Sequence, residues 1–263
     1  MIVIKYGGHA MVNRELADGF ARDVVALMTG GEQVVVVHGG GPQIESELKA
    51  RAITSTTIAG LRVTTPEMMD VVEMVLTGRV LRDVTNTLIQ AGAKAVGITG
   101  RDSQLLVARR LTSSATGEKI DVGQVGEIIK VNVGILKTLL DDGFLPVVAP
   151  VSADEFGVAY NVNADSAAGA IAGALKVDRA LFLTDVPGIY RNWPDTSSLI
   201  STISYREARE LLPTLADGMI PKVAACLHAI EQGAVSAQII DGRVMGAVRD
   251  ALISGSIGTV IRA

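Results

Sequence analysis

Ile2-Val3-Ile4-Lys5-Tyr6-Gly7-Gly8 and Gln33-Val34-Val35-Val36-Val37-His38-Gly39-Gly40-Gly41-Pro42 decide the fold between them. Ile2–Tyr6 and Gln33–Val37 are β-branched runs closed by glycine, the pattern of strands buried on both faces. Between them, Arg14–Met28 places Leu16, Phe20, Val24 and Leu27 at helical spacing. A β-α-β unit of this kind predicts a parallel pair joined by a right-handed crossover.

The alternation continues outward. Pro42–Ala50 and Pro66–Gln90 predict helices, the second opened by Thr65-Pro66-Glu67, an N-cap followed by proline in the first turn. Ala95–Thr99 and Leu145–Ala149 predict strands. Arg101–Asn132 is polar and alternates over Gly126–Val131, which predicts an antiparallel ribbon. Asn163–Leu175 predicts a helix rich in Ala and Gly, able to pack closely on a sheet. Arg179–Thr184 follows as a strand, Ser204–Leu212 and Met219–Gln232 as helices, and Ala237–Ile240 and Gly258–Ile261 as strands. No linker, repeat or low-complexity tract interrupts the series. The pattern predicts an α/β fold, a three-layer αβα sandwich around a mainly parallel central sheet. A seam between two lobes, if the chain has one, falls between Ala149 and Lys176.

The 263 residues suit one large domain or two coupled lobes, at about 150 residues per domain. Hydrophobic residues are 48% and charged residues 20%, enough apolar surface for a core, which excludes a disordered chain. With four Phe, four Tyr and one Trp, that core must be built from Val, Ile, Leu and Ala. The net charge is −4, the isoelectric point about 5.5, and no Lys/Arg-rich run occurs, so nucleic-acid binding is not the main activity. Cys226 is the single cysteine, which fits a reducing compartment. The N-terminus has no signal-peptide pattern and no run of ~20 apolar residues spans a membrane, so the expectation is a cytoplasmic protein despite a mean hydropathy of +0.37.

Four glycine-bearing turns follow strands: Lys5-Tyr6-Gly7-Gly8, His38-Gly39-Gly40-Gly41-Pro42, Thr99-Gly100 and Thr184-Asp185-Val186-Pro187-Gly188. Glycine there lets backbone N–H groups approach an anion, and a following helix N-terminus adds a favourable dipole. The first two turns open at the same carboxyl edge of a sheet, where ligands bind in open α/β folds. Neither a GxGxxG nor a Walker-type motif is present.

Lys5 is the most informative residue. A lysine in an apolar strand is expensive to bury unless an anion pairs with it; the competing reading is an edge-strand lysine that blocks aggregation. Lys222, in Asp217-Gly218-Met219-Ile220-Pro221-Lys222, sits near a helix N-terminus, where the dipole disfavours a cation. Asn161-Val162-Asn163-Ala164-Asp165 puts two amides and a carboxylate at a helix mouth. Capping explains Asn163 and leaves Asn161 and Asp165 unexplained.

These segments, with Gly60-Leu61-Arg62-Val63-Thr64, occur in an order that resembles the amino acid kinase family across essentially the whole chain. The Gly60–Thr64 and Asn161–Asp165 segments occurring together resemble the members that act on N-acetyl-L-glutamate in arginine biosynthesis. The resemblance implies transfer of the γ-phosphoryl of MgATP to the side-chain carboxylate of that substrate. It implies that Lys5 and Lys222 stabilise the transferring group while Asp165 holds both lysines. Gly40, Gly41, Arg62 and Asn161 would bind N-acetyl-L-glutamate, Gly8 would donate to phosphate, and Thr184, Asp185 and Tyr190 would lie along the nucleotide. The lobe of residues about 1–160 would bind the acceptor and dimerise, and that of about 161–263 would bind ATP. His9 stands where relatives carry Asn or a small residue. Arginine-inhibited members have an N-terminal helix for which four residues before Lys5 leave no room, and Gly246 and Ala251 replace a His and a Glu of theirs. The expectation is therefore a homodimer that arginine inhibits poorly.

Other residues read as structural. Cys226 lies mid-helix as core; His9, His38 and His228 lack partners at zinc spacing; Trp193 is packing or surface; Met68, Met69 and Met74 form a core or a dimer face. Two alternatives stay open beside the leading reading: a kinase of the same fold acting on a carrier-linked aminoadipate or glutamate, and a catalytically silent binding subunit.

Overall fold

The structure is a computed structural model that describes residues 1–263 except 8–10, 12, 59, 115–116, 217, 254–256 and 263. The chain opens with β1 (Ile2–Tyr6), α1 (Arg14–Thr29), β2 (Val34–His38) and α2 (Gly41–Ala50). A short hairpin of β3 (Thr57–Ile58) and β4 (Leu61–Arg62) leads to α3 (Pro66–Glu73), a π-helical segment Met74–Val80 and α4 (Leu81–Gln90). Then come β5 (Ala95–Thr99), β6 (Leu106–Arg110), β7 (Val125–Val131), α5 (Gly134–Asp141), β8 (Leu145–Ala149), β9 (Val151–Ala153) and β10 (Ala159–Val162). The remainder is α6 (Ala164–Leu175), β11 (Arg179–Thr184), β12 (Thr202–Ser204), α7 (Tyr205–Leu211), α8 (Ile220–Glu231), β13 (Ser236–Asp241), α9 (Ala247–Ile253) and β14 (Thr259–Arg262).

The central sheet has eight strands in the order β12-β14-β13-β11-β1-β2-β8-β5. Its neighbours pair in parallel except β13 with β14. Strand β1 lies between β11 and β2, so Lys5 is on a central strand, and its reading as an edge-strand guard is corrected. The sheet is continuous from the first strand to the last.

Side-chain alternation sorts the core into two layers. Ile2, Ile4, Tyr6, Val34, Val36, Leu181 and Leu183 pack with helices α1 to α4 and α9 on one face. Val3, Val35, Val37, Ala180 and Phe182 pack with α5 to α8 on the other. Both faces are covered, which is why these strands read as continuous apolar runs.

The polar ribbon of the sequence is β6 paired antiparallel with β7. With β9 and β10 it closes a small barrel in the order β10-β7-β6-β9, which the sequence reading did not contain. Thr65 caps α3 by accepting from Met68 N–H at 3.2 Å. The single helix expected over Pro66–Gln90 is corrected: a π-helical stretch interrupts it, and Val75, Leu76 and Val80 there are all buried. Met68 and Met69 are core, whereas Met74 is exposed.

Candidate active site

Parity along β1 places Lys5 on the same face as Val3, and that face carries α6 and α8. Helix α6 begins at the carboxyl edge of the sheet, capped by Asn163, whose side chain accepts from Asp165 N–H at 2.8 Å and Ser166 N–H at 3.2 Å. Asp165 is therefore fixed in the first turn of α6, and Lys222 lies in the first turn of α8. The two helices approach closely because their contact is made of small residues: a Cβ added to Gly169 would fall 2.5 Å from Ala225 O.

Three charges meet there. Lys5 Nζ stands 3.2 Å from Asp165 Oδ1, an ion pair off hydrogen-bond alignment, and 3.4 Å from Leu183 O. Lys222 Nζ donates to Asp165 Oδ2 at 3.2 Å. Side-chain exposure is 6% for Asp165, 9% for Lys5 and 21% for Lys222, so Lys222 is the more open cation. Burial pushes the Asp165 carboxyl up, but the ammonium groups of Lys5 and Lys222 outweigh it and hold the carboxyl below its ordinary value. The triad carries one net positive charge, which an incoming anion would satisfy.

A cavity of about 390 Å³ opens over this triad. Gly40, Gly41, Arg62 and Asn161 line it together with Lys5, Asp165 and Lys222, so residues from the sheet edge, the β3–β4 hairpin and the barrel converge. The N-termini of α2 and α6 also face it and add positive potential. Arg62 Nη1 donates to Glu45 Oε2 at 2.5 Å and to Ser55 Oγ, which fixes one end of the guanidinium. A Cβ added to Gly40 would lie 2.5 Å from Cδ2 of Leu76, so any side chain there would force Leu76 to shift. The Thr99-Gly100 turn does not join this cavity; a Cβ on Gly100 would meet Val151 O at 2.7 Å, so that turn serves packing.

A second cavity, of about 440 Å³, shares Thr184, Asp185 and Lys222 with the first. Tyr190 and Trp193 form part of its wall, their ring centroids 5.2 Å apart, with Leu215 and Met219 beside them. The first cavity is thus mixed in character with the triad in its wall, the second mainly apolar and aromatic. They meet at Lys222. Gly8, His9 and Asp217 lie outside the described residues.

A profile of the amino acid kinase family matches residues 1–241. The chain belongs to the amino acid kinase family. It is 46% identical over 263 residues to an acetylglutamate kinase of Streptomyces griseus, covering 99% of this chain and 84% of the relative. Among solved structures, N-acetylglutamate synthase from Neisseria gonorrhoeae, complexed with coenzyme A and N-acetyl-glutamate, matches with a TM-score of 0.85 at 24% identity. That match covers 100% of this chain and 59% of the synthase chain. Carbamate kinase from Giardia lamblia bound to AMP-PNP matches with a TM-score of 0.72 at 21% identity, over 99% of this chain and 97% of the other. At such identities the two structures establish the fold alone.

Among the cavity residues that the sequence did not single out for the site, Trp193 and Leu76 stand out. Trp193 was expected to be packing or surface; it is 64% exposed, yet it walls the second cavity against Tyr190. Leu76 belonged to an apolar helical stripe with no feature to single it out, and only the packing of the π-helical segment against Gly40 brings it to the first cavity. Cys226 is fully buried, and burial pushes its thiol up, so it is an inert core residue. No helix among the described residues is long and apolar enough to cross a membrane.

Proposed function

We infer that this amino acid kinase transfers the γ-phosphoryl group of ATP to the side-chain carboxylate of N-acetyl-L-glutamate, giving N-acetylglutamyl 5-phosphate and ADP. The observation that carries the reading is the Lys5–Asp165–Lys222 triad at the junction of two cavities, in a chain 46% identical along its length to an acetylglutamate kinase.

A γ-carboxylate with an ordinary pKa of about 4.3 is ionised at neutral pH, so no general base is needed. One carboxylate oxygen attacks the γ-phosphorus, the bond to the β,γ-bridging oxygen breaks, and ADP leaves with the electron pair. The difficulty is to bring two anions together and spread charge over the equatorial oxygens. Lys5 and Lys222 supply fixed positive charge there, and Asp165 keeps both ammonium groups oriented without reorganisation during reaction. Arg62, anchored at one end by Glu45 and Ser55, presents a planar fork that suits the α-carboxylate, which a lysine would not match. Gly40, Gly41 and Asn161 complete the acceptor side. Thr184, Asp185 and Tyr190 take the nucleotide side, with the base against Tyr190. The lobe of residues about 1–160 thus serves the acceptor and that of about 161–263 the nucleotide.

Asp185 lines both cavities, so its carboxylate would be the group to approach a Mg²⁺ carried on the nucleotide phosphates, while Asp165 serves the two lysines. When bound, the metal neutralises phosphate charge. The reading further holds that the enzyme is cytoplasmic and a homodimer; light scattering against a 27.5 kDa chain mass would test the dimer.

The deciding experiment is an ADP-release or hydroxamate assay with MgATP, comparing N-acetyl-L-glutamate with L-glutamate, L-aspartate and N-acetyl-aminoadipate. Turnover of N-acetyl-L-glutamate alone, lost in Lys222→Ala, supports the reading; no turnover of it from ATP-binding protein overturns it.

A further inference from the structure

Thr64 is fully buried, two residues beyond Arg62. Its hydroxyl donates to Arg62 O at 3.0 Å. Having spent its proton, that oxygen can only accept, and the group it faces is the Asn161 amide at 3.2 Å. The amide must therefore turn its Nδ2 to Thr64, which aims its Oδ1 the other way. The Thr64 backbone is pinned as well: its N–H donates to Val122 O at 3.0 Å, and its carbonyl accepts from Gln124 N–H at 2.7 Å. Gln124 O in turn accepts from Asn161 N–H at 2.9 Å. One residue thus ties the hairpin that carries Arg62 to the strand that carries Asn161.

We propose that Thr64 is a positioning residue of the acceptor site: its hydroxyl sets both the Arg62 to Asn161 spacing and the orientation of the Asn161 amide, so that Asn161 Oδ1 accepts from the amide N–H of an N-acylated substrate. This rests on the acceptor reading above. It explains how the site selects an acylated amino acid: the substrate's nitrogen must be a neutral donor, because a free ammonium would be repelled by the net positive charge of the Lys5–Asp165–Lys222 triad.

The test compares Thr64→Val, Thr64→Ala and Thr64→Ser with the parent enzyme, measuring KM for N-acetyl-L-glutamate and for ATP separately. Loss of one oriented hydrogen bond predicts a rise of about tenfold in acceptor KM for the Val and Ala variants. ATP KM should change little even where the loss of two buried hydrogen bonds lowers the melting temperature, and the Ser variant should retain the parent KM. Asn161→Ala should raise acceptor KM by itself and show no further rise when combined with Thr64→Ala. Parent-like acceptor KM in Thr64→Ala, or additive effects in the double variant, overturns the proposal while leaving the kinase reading intact. A parent enzyme that does not phosphorylate N-acetyl-L-glutamate overturns both. If Thr64→Val does not fold, the Ala and Ser variants carry the comparison.

Discussion

Lys5 and Asp165, far apart in the sequence, face each other at 3.2 Å where the central strand β1 ends beneath the first turn of α6. Neither position is intelligible alone. A lysine on a central strand needs an anion, and a buried carboxylate needs cations; each supplies the other's requirement, and Lys222 supplies the rest.

Asp165→Asn removes the charge that separates two ammonium groups at positions 9% and 21% exposed. Removing one partner of a buried pair destabilises by roughly 3 kcal/mol, and loss of lysine orientation should lower kcat by at least about a hundredfold. The sign of the acid dependence follows from the lowered carboxyl pKa. The stabilisation is fully present above the ordinary value of 3.8 and disappears as pH falls through the lower folded value. Urea melts at neutral pH and at pH 3, with steady-state kinetics, check both statements.

Gly169→Ala addresses the same site from a distance. The new methyl would meet Ala225 O at 2.5 Å and must push α8 from α6. Overpacking of this kind destabilises by about 1–3 kcal/mol. Because Asp165 rides on α6 and Lys222 on α8, kcat should fall with stability while acceptor KM is largely preserved. An unchanged kcat in a destabilised variant would mean that the helix pair does not set the triad geometry.

His38 gives a pH dependence in a different window. Burial lowers its pKa to about 4, against a small opposing effect of Nδ1–H donating to Gly39 O at 2.8 Å. The unfolded chain takes up a proton below about 6.5 that the folded chain refuses, so stability falls as pH drops from about 6.5 to about 4. At ~1.36 kcal/mol per unit, the loss by pH 5 is about 2 kcal/mol. His38→Gln should flatten that slope in denaturant titrations between pH 7 and pH 5, whatever it does to the absolute stability.

Trp193 is the single tryptophan of the chain, so its emission reports on the second cavity alone. ATP should quench or shift that emission in the absence of acceptor. Trp193→Ala should raise ATP KM by about tenfold, the scale of one aromatic stacking contact, with acceptor KM unchanged. Silent fluorescence together with an unaltered ATP KM would remove Trp193 from the nucleotide site.

Much of this was readable from residue order. The β-branched runs closed by glycine implied parallel strands covered on both faces, because only strands without a solvent face can be apolar throughout. Lys5, Asp165 and Lys222 stood out individually, since each is a charge placed where burial or a helix dipole makes it unfavourable alone. Asn163 was legible as a cap for the same local reason, and the side chain does accept from two α6 amides.

What local pattern does not encode is which elements touch. The barrel joins the β6–β7 pair to the β9–β10 pair across α5 and β8, and pairing between such short runs depends on closure rather than on any one run's periodicity. The π-helical segment keeps an ordinary apolar stripe in sequence, so its altered spacing, and Leu76's approach to Gly40, arise only from packing. Trp193 and Tyr190 acquire meaning as two walls of one cavity. The sequence by itself determined the layer order and the kinds of charge at the sheet edge, because periodicity and desolvation act residue by residue. The tertiary structure alone decided the distances among those charges and the shapes of the two cavities, because contacts across long loops are selected by the whole packed core.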